Sequence, residues 1–294
     1  MAMLSHAVRG ALGLLLYLAN TLLWAIPLFA LALVKLLVPV ARGRALIGKV
    51  LDEIATQWVA VNTAIQRLTT GVRLQVEGLR ELPLREWYLV VANHQSWVDI
   101  LVLQRLFHRR IPFLKFFLKK ELIWVPVLGL AWWALDFPFM RRYSRAFVEK
   151  YPHLKGRDVE TTRRACAKFR HLPVTIINFV EGTRFTRAKH DAQHSPFRHL
   201  LQPRAGGIAH VLASMGGQLH QLLDVTIHYP GGAPSFWDFA AGKVREIRVH
   251  VRCLPLSDQV IGDYQNDPSY QRQFQSWLNQ LWHDKDARLD ALKG

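Results

Sequence analysis

Cysteine is scarce in this chain: Cys166 and Cys253 are the two it has. They form no CxxC pair and no metal-like spacing, so nothing in them calls for an oxidising compartment, and two buried thiols are expected. Acidic residues are also short, with 22 Asp and Glu against 38 Lys and Arg, a formal charge of +16. That excess favours anionic partners, either nucleic acid or an anionic membrane. The chain lacks a zinc finger, an RNA-recognition signature and an Arg-rich tail, so a nucleic-acid partner is not expected. HExxH, GxSxG and the P-loop are missing too, which removes the sequence grounds for a zinc hydrolase, a serine esterase and an NTPase. No metal site is expected either: His190, Asp191 and His194 sit among Lys189, Gln193, Ser195 and Pro196 in what reads as an exposed turn. There is no internal repeat and no low-complexity linker.

What is present is apolar and aromatic: half of the residues are hydrophobic and Trp numbers 10. Residues 10–34 carry no charge. At ~1.5 Å per residue such a helix is long enough to enter or cross a hydrocarbon core of about 30 Å. Pro27 predicts a kink within it, and a signal peptide cleaved near Ala30-Leu31-Ala32 is the competing reading. Lys35, Arg42, Arg44 and Lys49 follow the run whereas Arg9 alone precedes it. That asymmetry predicts a membrane protein with its catalytic part on the cytoplasmic face, in a bacterial cell the inner membrane. Apolar residues at helical spacing over 45–68, stopped by Gly71, predict a second, amphipathic helix that packs back on the first as an anchor or covers the core. The uncharged run 123–135, with Trp124, Trp132 and Trp133, is too short to span and reads as an interfacial surface or a buried helix. Asp267-Pro268 opens a C-terminal helix that places Tyr270, Phe274, Trp277, Leu278, Leu281 and Trp282 on one face. The expected organisation is membrane-anchoring helices in 1–70, a catalytic domain in 71–256 and a helical extension in 257–294.

The chemistry is concentrated in two polar turns. Trp87-Tyr88-Leu89-Val90-Val91-Ala92 reads as a strand and runs into Asn93-His94-Gln95-Ser96-Trp97-Val98-Asp99. This sets His94 five residues before Asp99, a base with a carboxylate to fix its tautomer, suited to taking a proton from a hydroxyl. A second strand, over 174–178, ends in Phe179-Val180-Glu181-Gly182-Thr183-Arg184. In an open α/β sheet both turns can converge beyond the carboxyl ends of the strands.

This pair of turns resembles the first and third blocks of the glycerolipid and lysophospholipid acyltransferases, which include bacterial 1-acylglycerol-3-phosphate acyltransferases and eukaryotic lysocardiolipin acyltransferases. Phe137-Pro138-Phe139-Met140-Arg141-Arg142 is similar to the family's aromatic-then-arginine block, with Arg142 the better match and Arg141 the fallback. Lys119-Lys120-Glu121, with Pro126 and Gly129, is similar to another family segment. Leu201-Gln202-Pro203-Arg204-Ala205-Gly206-Gly207 resembles its Pro-Lys-x-Gly-Gly turn, with Arg204 for the lysine. Val180 and Thr226 stand where many members carry proline, and these departures lean toward the lysocardiolipin-like branch. The ordered likeness runs over roughly 70–255.

The resemblance implies an α/β fold with a central, mostly parallel or mixed sheet flanked by helices, and an enzyme moving a fatty acyl group from a thioester donor, acyl-CoA or acyl carrier protein, to a lysophospholipid hydroxyl, foremost 1-acylglycerol-3-phosphate. Other head groups, of the lysocardiolipin or lysophosphatidylglycerol type, and a non-catalytic lipid-binding scaffold are the alternatives. No cofactor is implied beyond the acyl donor. His94 and Asp99 take the catalytic roles. Glu181, Gly182, Thr183, Arg184, Arg142 and Arg141 form the phosphate-binding group, in which Glu181 is the odd member and suits loop orientation better than substrate contact. Asn93, Ser96, Lys120, Arg204, Gly206 and Gly207 support the site, Ser96 as a loop residue and not a nucleophile. Arg105, Arg109, Arg110 and Lys115 are candidate cations for the anionic donor.

Overall fold

The computed structural model describes residues 5–140, 157–169, 172–257 and 260–293. Arg141 and Arg142 lie outside the described residues.

The chain opens with α1 (His6–Leu37) and α2 (Ala41–Thr69), two long helices that pack on one another. Helix α1 continues through Pro27, and it is the one helix among the described residues long and apolar enough to cross a membrane. Its outward side carries exposed Leu18, Leu22, Leu23, Ile26 and Leu33, while Gly10, Gly13, Tyr17, Asn20, Ala25 and Leu28 are buried. Asn20 donates its amide to Asn62 at 2.9 Å and to the Trp58 carbonyl at 3.1 Å, which satisfies its buried Nδ2 between the two helices. Gly71, with φ +66°, turns the chain from α2 into the sheet.

The sheet has six strands in the order β1-β8-β7-β2-β6-β3: β1 (Arg73–Glu77), β2 (Trp87–Ala92), β3 (Leu114–Phe116), β6 (Thr175–Asn178), β7 (Leu219–His228) and β8 (Glu246–Pro255). All pairs are parallel except β7 with β8. The mixed sheet flanked by helices is therefore as the sequence implied. Strand β2 is central because its run is apolar on both faces. Tyr88, Val90 and Ala92 point to one core and Leu89 and Val91 to the other. On the first face lie α1, α2, α3 (Val98–Phe107) and α4 (Leu128–Ala134). On the second lie α5 (Arg157–Ala167), α7 (Ala205–Met215) and α9 (Pro268–Lys293). Short β4 (Leu118–Lys119) and β5 (Phe139–Met140) pair outside the sheet, and α6 (Arg187–Ala192) and α8 (Phe236–Ala240) complete the described elements.

Three expectations need amendment. The run 123–135 is neither a wholly interfacial nor a wholly buried helix. It breaks into a 3-10 turn (Lys120–Trp124) and α4, with one side against the core and the other exposed. The Arg204-to-Gly207 stretch is no turn: Arg204 caps α7, and the two glycines lie in its first turns. Of the two thiols, Cys166 is buried and Cys253 is half-buried, donating to Gln221 Oε1 at 2.8 Å.

Candidate active site

Strands β7, β2 and β6 are parallel neighbours, so their carboxyl ends open on the same edge. Each delivers one part of the site. Strand β2 delivers Asn93 and His94, β6 delivers the 179–184 turn, and β7 delivers Tyr229. The Asn93 side chain clamps the first turn to β7, donating to the Ile227 carbonyl at 2.9 Å and accepting from the Ile227 N–H at 2.8 Å. Ser96 Oγ donates to the Pro234 carbonyl at 2.6 Å and accepts from the Val98 N–H at 3.1 Å, so its hydroxyl ties the loop to the chain beyond β7.

Asp99, in the first turn of α3, is fully buried and saturated with donors. Its Oδ2 accepts from His94 Nδ1 at 2.8 Å and from the Gln95 and Ser96 N–H groups at 2.7 and 2.9 Å, and its Oδ1 accepts from the Tyr229 hydroxyl at 2.5 Å. An ionised carboxylate is the acceptor that suits four donors at once. With Nδ1–H committed to Asp99, the lone pair of the neutral imidazole is on Nε2, and among the described residues nothing hydrogen-bonds that nitrogen. Phe179 stacks on the imidazole at 4.1 Å between centroids and 17° between planes, which fixes the ring in its own plane. Burial, and then the Asp99 charge, push the Tyr229 hydroxyl well above its usual range, so it stays a donor.

Glu181 is wholly buried. One oxygen accepts from the His94 N–H at 3.3 Å and the other from the Leu201 N–H at 3.2 Å. Its place among the phosphate-binding residues is therefore corrected: it ties together the β2 and β6 turns and the strand of chain leading to α7. Burial pushes it up to about 8, against the opposing pull of those two N–H groups and the Lys285 charge.

The exposed side of the second turn is cationic. Gly182 takes φ +71°, a left-handed value that a β-carbon would strain. Lys189, which the sequence reading did not single out, donates to Thr183 Oγ1 at 2.7 Å and to the Arg184 carbonyl at 3.0 Å. The exposed Arg184 guanidinium lies over the Trp97 ring at 5.0 Å. Arg204 is exposed, its N–H bound to the Val180 carbonyl at 2.7 Å, which docks the start of α7 against this turn. A β-carbon on Gly207 would come 3.5 Å from Asn178 Nδ2, whereas Gly206 has only the far end of His210 near it, at 4.0 Å. Lys120 is exposed at the start of the 3-10 turn, and its neighbour Lys119 lines the cavity described next. Two donor-binding candidates are spent elsewhere: Lys115 is buried on Asp52 at 2.9 Å and the Leu135 carbonyl at 2.7 Å, and Arg109 pairs with Glu53.

From His94 and Gly182 an apolar cavity of about 450 Å³ runs inward between the sheet, α1, α2 and α4. Its walls include Trp24 and Leu28 from α1, Trp58 from α2, and Ala131 and Trp132 from α4. A base with an unengaged nitrogen thus stands between an apolar slot and a cationic rim.

Residues 73–229, a little over half of the chain, match the family model described as Acyltransferase. Over 220 residues the chain is 26% identical to 1-acyl-sn-glycerol-3-phosphate acyltransferase gamma of Mus musculus, covering 71% of this chain and 54% of that protein. It is 28% identical over 214 residues to the gamma protein of Homo sapiens, covering 69% and 52%. It thus spans about half the length of these two curated relatives. To 1-acyl-sn-glycerol-3-phosphate acyltransferase 2 of Brassica oleracea it is 25% identical over 308 residues, covering 99% and 72%. The crystal structure of the 1-acyl-sn-glycerophosphate acyltransferase of Thermotoga maritima shares the fold, with a TM-score of 0.55 at 15% identity, covering 97% of this chain and 98% of that one. The family match begins at β1 and ends at Tyr229, whose hydroxyl closes the network around Asp99, so the match and the site are one stretch of sheet: the chain belongs to the acyltransferase family.

Proposed function

We propose that the protein transfers a fatty acyl group from a thioester donor to the free hydroxyl of a lysophospholipid, with 1-acylglycerol-3-phosphate as the foremost acceptor and phosphatidic acid as its product. The observation that carries this reading is the placement of His94: Nδ1 is engaged by buried Asp99, and the same residue lines the mouth of an apolar cavity. His94 Nε2 takes the proton of the acceptor hydroxyl, whose oxygen attacks the thioester carbonyl. The tetrahedral intermediate collapses by expelling the thiolate, which recovers the proton from the imidazolium. No covalent acyl-enzyme is needed. The acyl chain lies in the cavity, and the acceptor phosphate meets Arg184, Lys189 and Thr183, joined by Arg142 or Arg141.

Membrane attachment through α1 and α2 would bring the site to its lipid substrates, and the excess of Lys35, Arg42, Arg44 and Lys49 after α1 supports a cytoplasmic catalytic part. Val180 and Thr226, in place of prolines, favour a second reading with a lysocardiolipin or lysophosphatidylglycerol acceptor. The test offers the purified protein labelled acyl-CoA and a panel of lysophospholipids. Product in one lane names the acceptor. Silence with acyl-CoA and turnover with acyl carrier protein names the other donor, and silence with both leaves the lipid-binding scaffold.

A further inference from the structure

Between β4 and β5 the chain lays the 3-10 turn and α4 along one wall of the cavity. Leu128, Ala131, Trp132 and Leu135 recur at helical spacing and line it. The opposite stripe faces outward: Trp124 is 85% exposed, Leu130 57% and Trp133 46%. Large apolar side chains grouped in this way on a thin wall are costly in water and mark a contact surface. Exposed Lys119 and Lys120 stand at its start, with Glu121 the one acid in residues 117–135. Trp beside lysine is the composition that suits an anionic bilayer interface.

The element is also joined to α1. Lys35, in the last turn of α1, donates to the Ala134 carbonyl at 3.3 Å and to Asp136 at 2.5 Å, and Lys168 holds the other Asp136 oxygen at 3.0 Å. Exposed Leu33 and Leu37 of α1 lie two residues either side of Lys35, so apolar side chains of α1 stand at this same junction. Both ends of α4 are strained: Val127, a β-branched residue, has φ +61° and Asp136 has φ +58°. A β-carbon on Gly129 would come 2.1 Å from the Ile123 carbonyl oxygen, so the turn and α4 are packed backbone to backbone and behave as one piece.

We infer that residues 119–135 are a second lipid-contacting element, seated in the bilayer interface beside α1, and that the wall they form is the side by which an acyl chain enters the cavity directly from the membrane. The inference rests on the acyl-chain reading of the cavity for its second half and on the exposed stripe alone for its first. Lipid is the occupant favoured by the lysines and by continuity with α1; a second copy of the chain is an outcome of the test.

The experiment places an environment-sensitive fluorophore at Leu130→Cys in a Cys253→Ser background and adds vesicles of phosphatidylcholine and phosphatidylglycerol, with flotation reporting total binding. The expected result is a blue shift on vesicle addition and quenching by lipids carrying a doxyl group on the acyl chain. Water-like emission from protein that floats with the vesicles would overturn the inference, as would a blue shift already present without lipid, which would assign the stripe to self-association. In parallel, Trp124→Ser/Leu130→Ser/Trp133→Ser is expected to raise KM for a vesicle-borne long-chain donor by about fivefold or more while leaving turnover of short-chain, water-soluble substrates unchanged. Equal effects on both substrates would remove the portal. Inactivity of the unsubstituted protein would sink the acyl-transfer reading but leave the fluorescence result standing.

Discussion

At the residue scale the site depends on what Asp99 does to His94. Replacing it by Asn presents an amide N–H₂ to Nδ1 and favours the tautomer that carries the proton on Nε2, the wrong nitrogen for a base. Asp99→Asn is expected to lower kcat by about 10³-fold or more with little change in KM, read in steady-state assays. Tyr229→Phe removes one of four donors to the same carboxylate and is expected to cost only about tenfold, because the tautomer survives. Equal losses in the two variants would contradict this division of labour. Glu181 makes a separate prediction. Between its ordinary value of 4.5 and the folded value of about 8, the folded protein retains a proton that the unfolded chain has released. Stability therefore falls as pH rises through that window. Denaturant melts from pH 5 to 8 should show the decline, and Glu181→Gln, with no proton to lose, should flatten it. His94 and Asp99 were legible because they share one turn. Tyr229 was not, since its hydroxyl reaches Asp99 across 130 residues of chain, and only the placement of β7 beside β2 creates that contact. Lys189 was obscured by its neighbours, which read as a solvated turn.

At the element scale, α9 is fastened to the sheet by an ionic cluster and not by its aromatic stripe alone. Lys285, with no exposure, donates to the Val225 carbonyl at 2.6 Å and pairs with Asp224, which Arg252 also holds at 2.7 Å. Asp224→Ala strands a buried ammonium and should destabilise by about 3–5 kcal/mol in urea unfolding. Lys285→Met leaves Asp224 with Arg252 and an apolar chain in the same space, so it should cost markedly less. The reverse order would contradict this account of the cluster. The stripe itself was readable from spacing: Phe274, Leu278, Leu281 and Trp282 are all buried. Lys285 was not, because a lysine three residues beyond the last stripe position reads as solvent-facing until β7 is placed beneath it. Likewise 123–135 carries no charge to reveal which of its sides faces the core, and Val125, Pro126 and Val127 split it where a uniform helix was one expectation.

At the scale of the whole molecule, hairpin and sheet share one core, since Tyr17, Leu28, Leu51 and Ala55 pack in the same cluster as Val90 and Val225. The cavity is a product of that assembly: no single element's pattern contains it, although most of its wall residues were ordinary apolar positions in the sequence. Its depth should set the acyl length. Ala131→Trp, placed on the α4 wall, is expected to slow transfer from a hexadecanoyl donor by roughly tenfold and from an octanoyl donor far less, in competition assays with both present. Uniform slowing would mean that the chain lies elsewhere. All of this turns on one residue, and the most direct test is the initial rate of acyl transfer to 1-acylglycerol-3-phosphate by the unsubstituted protein and by His94→Ala, with matched thermal transitions confirming that both are folded. Transfer by the former and a rate lower by about 10³-fold or more in the latter is the outcome expected of a general base; a folded His94→Ala variant that keeps its rate would contradict the mechanism.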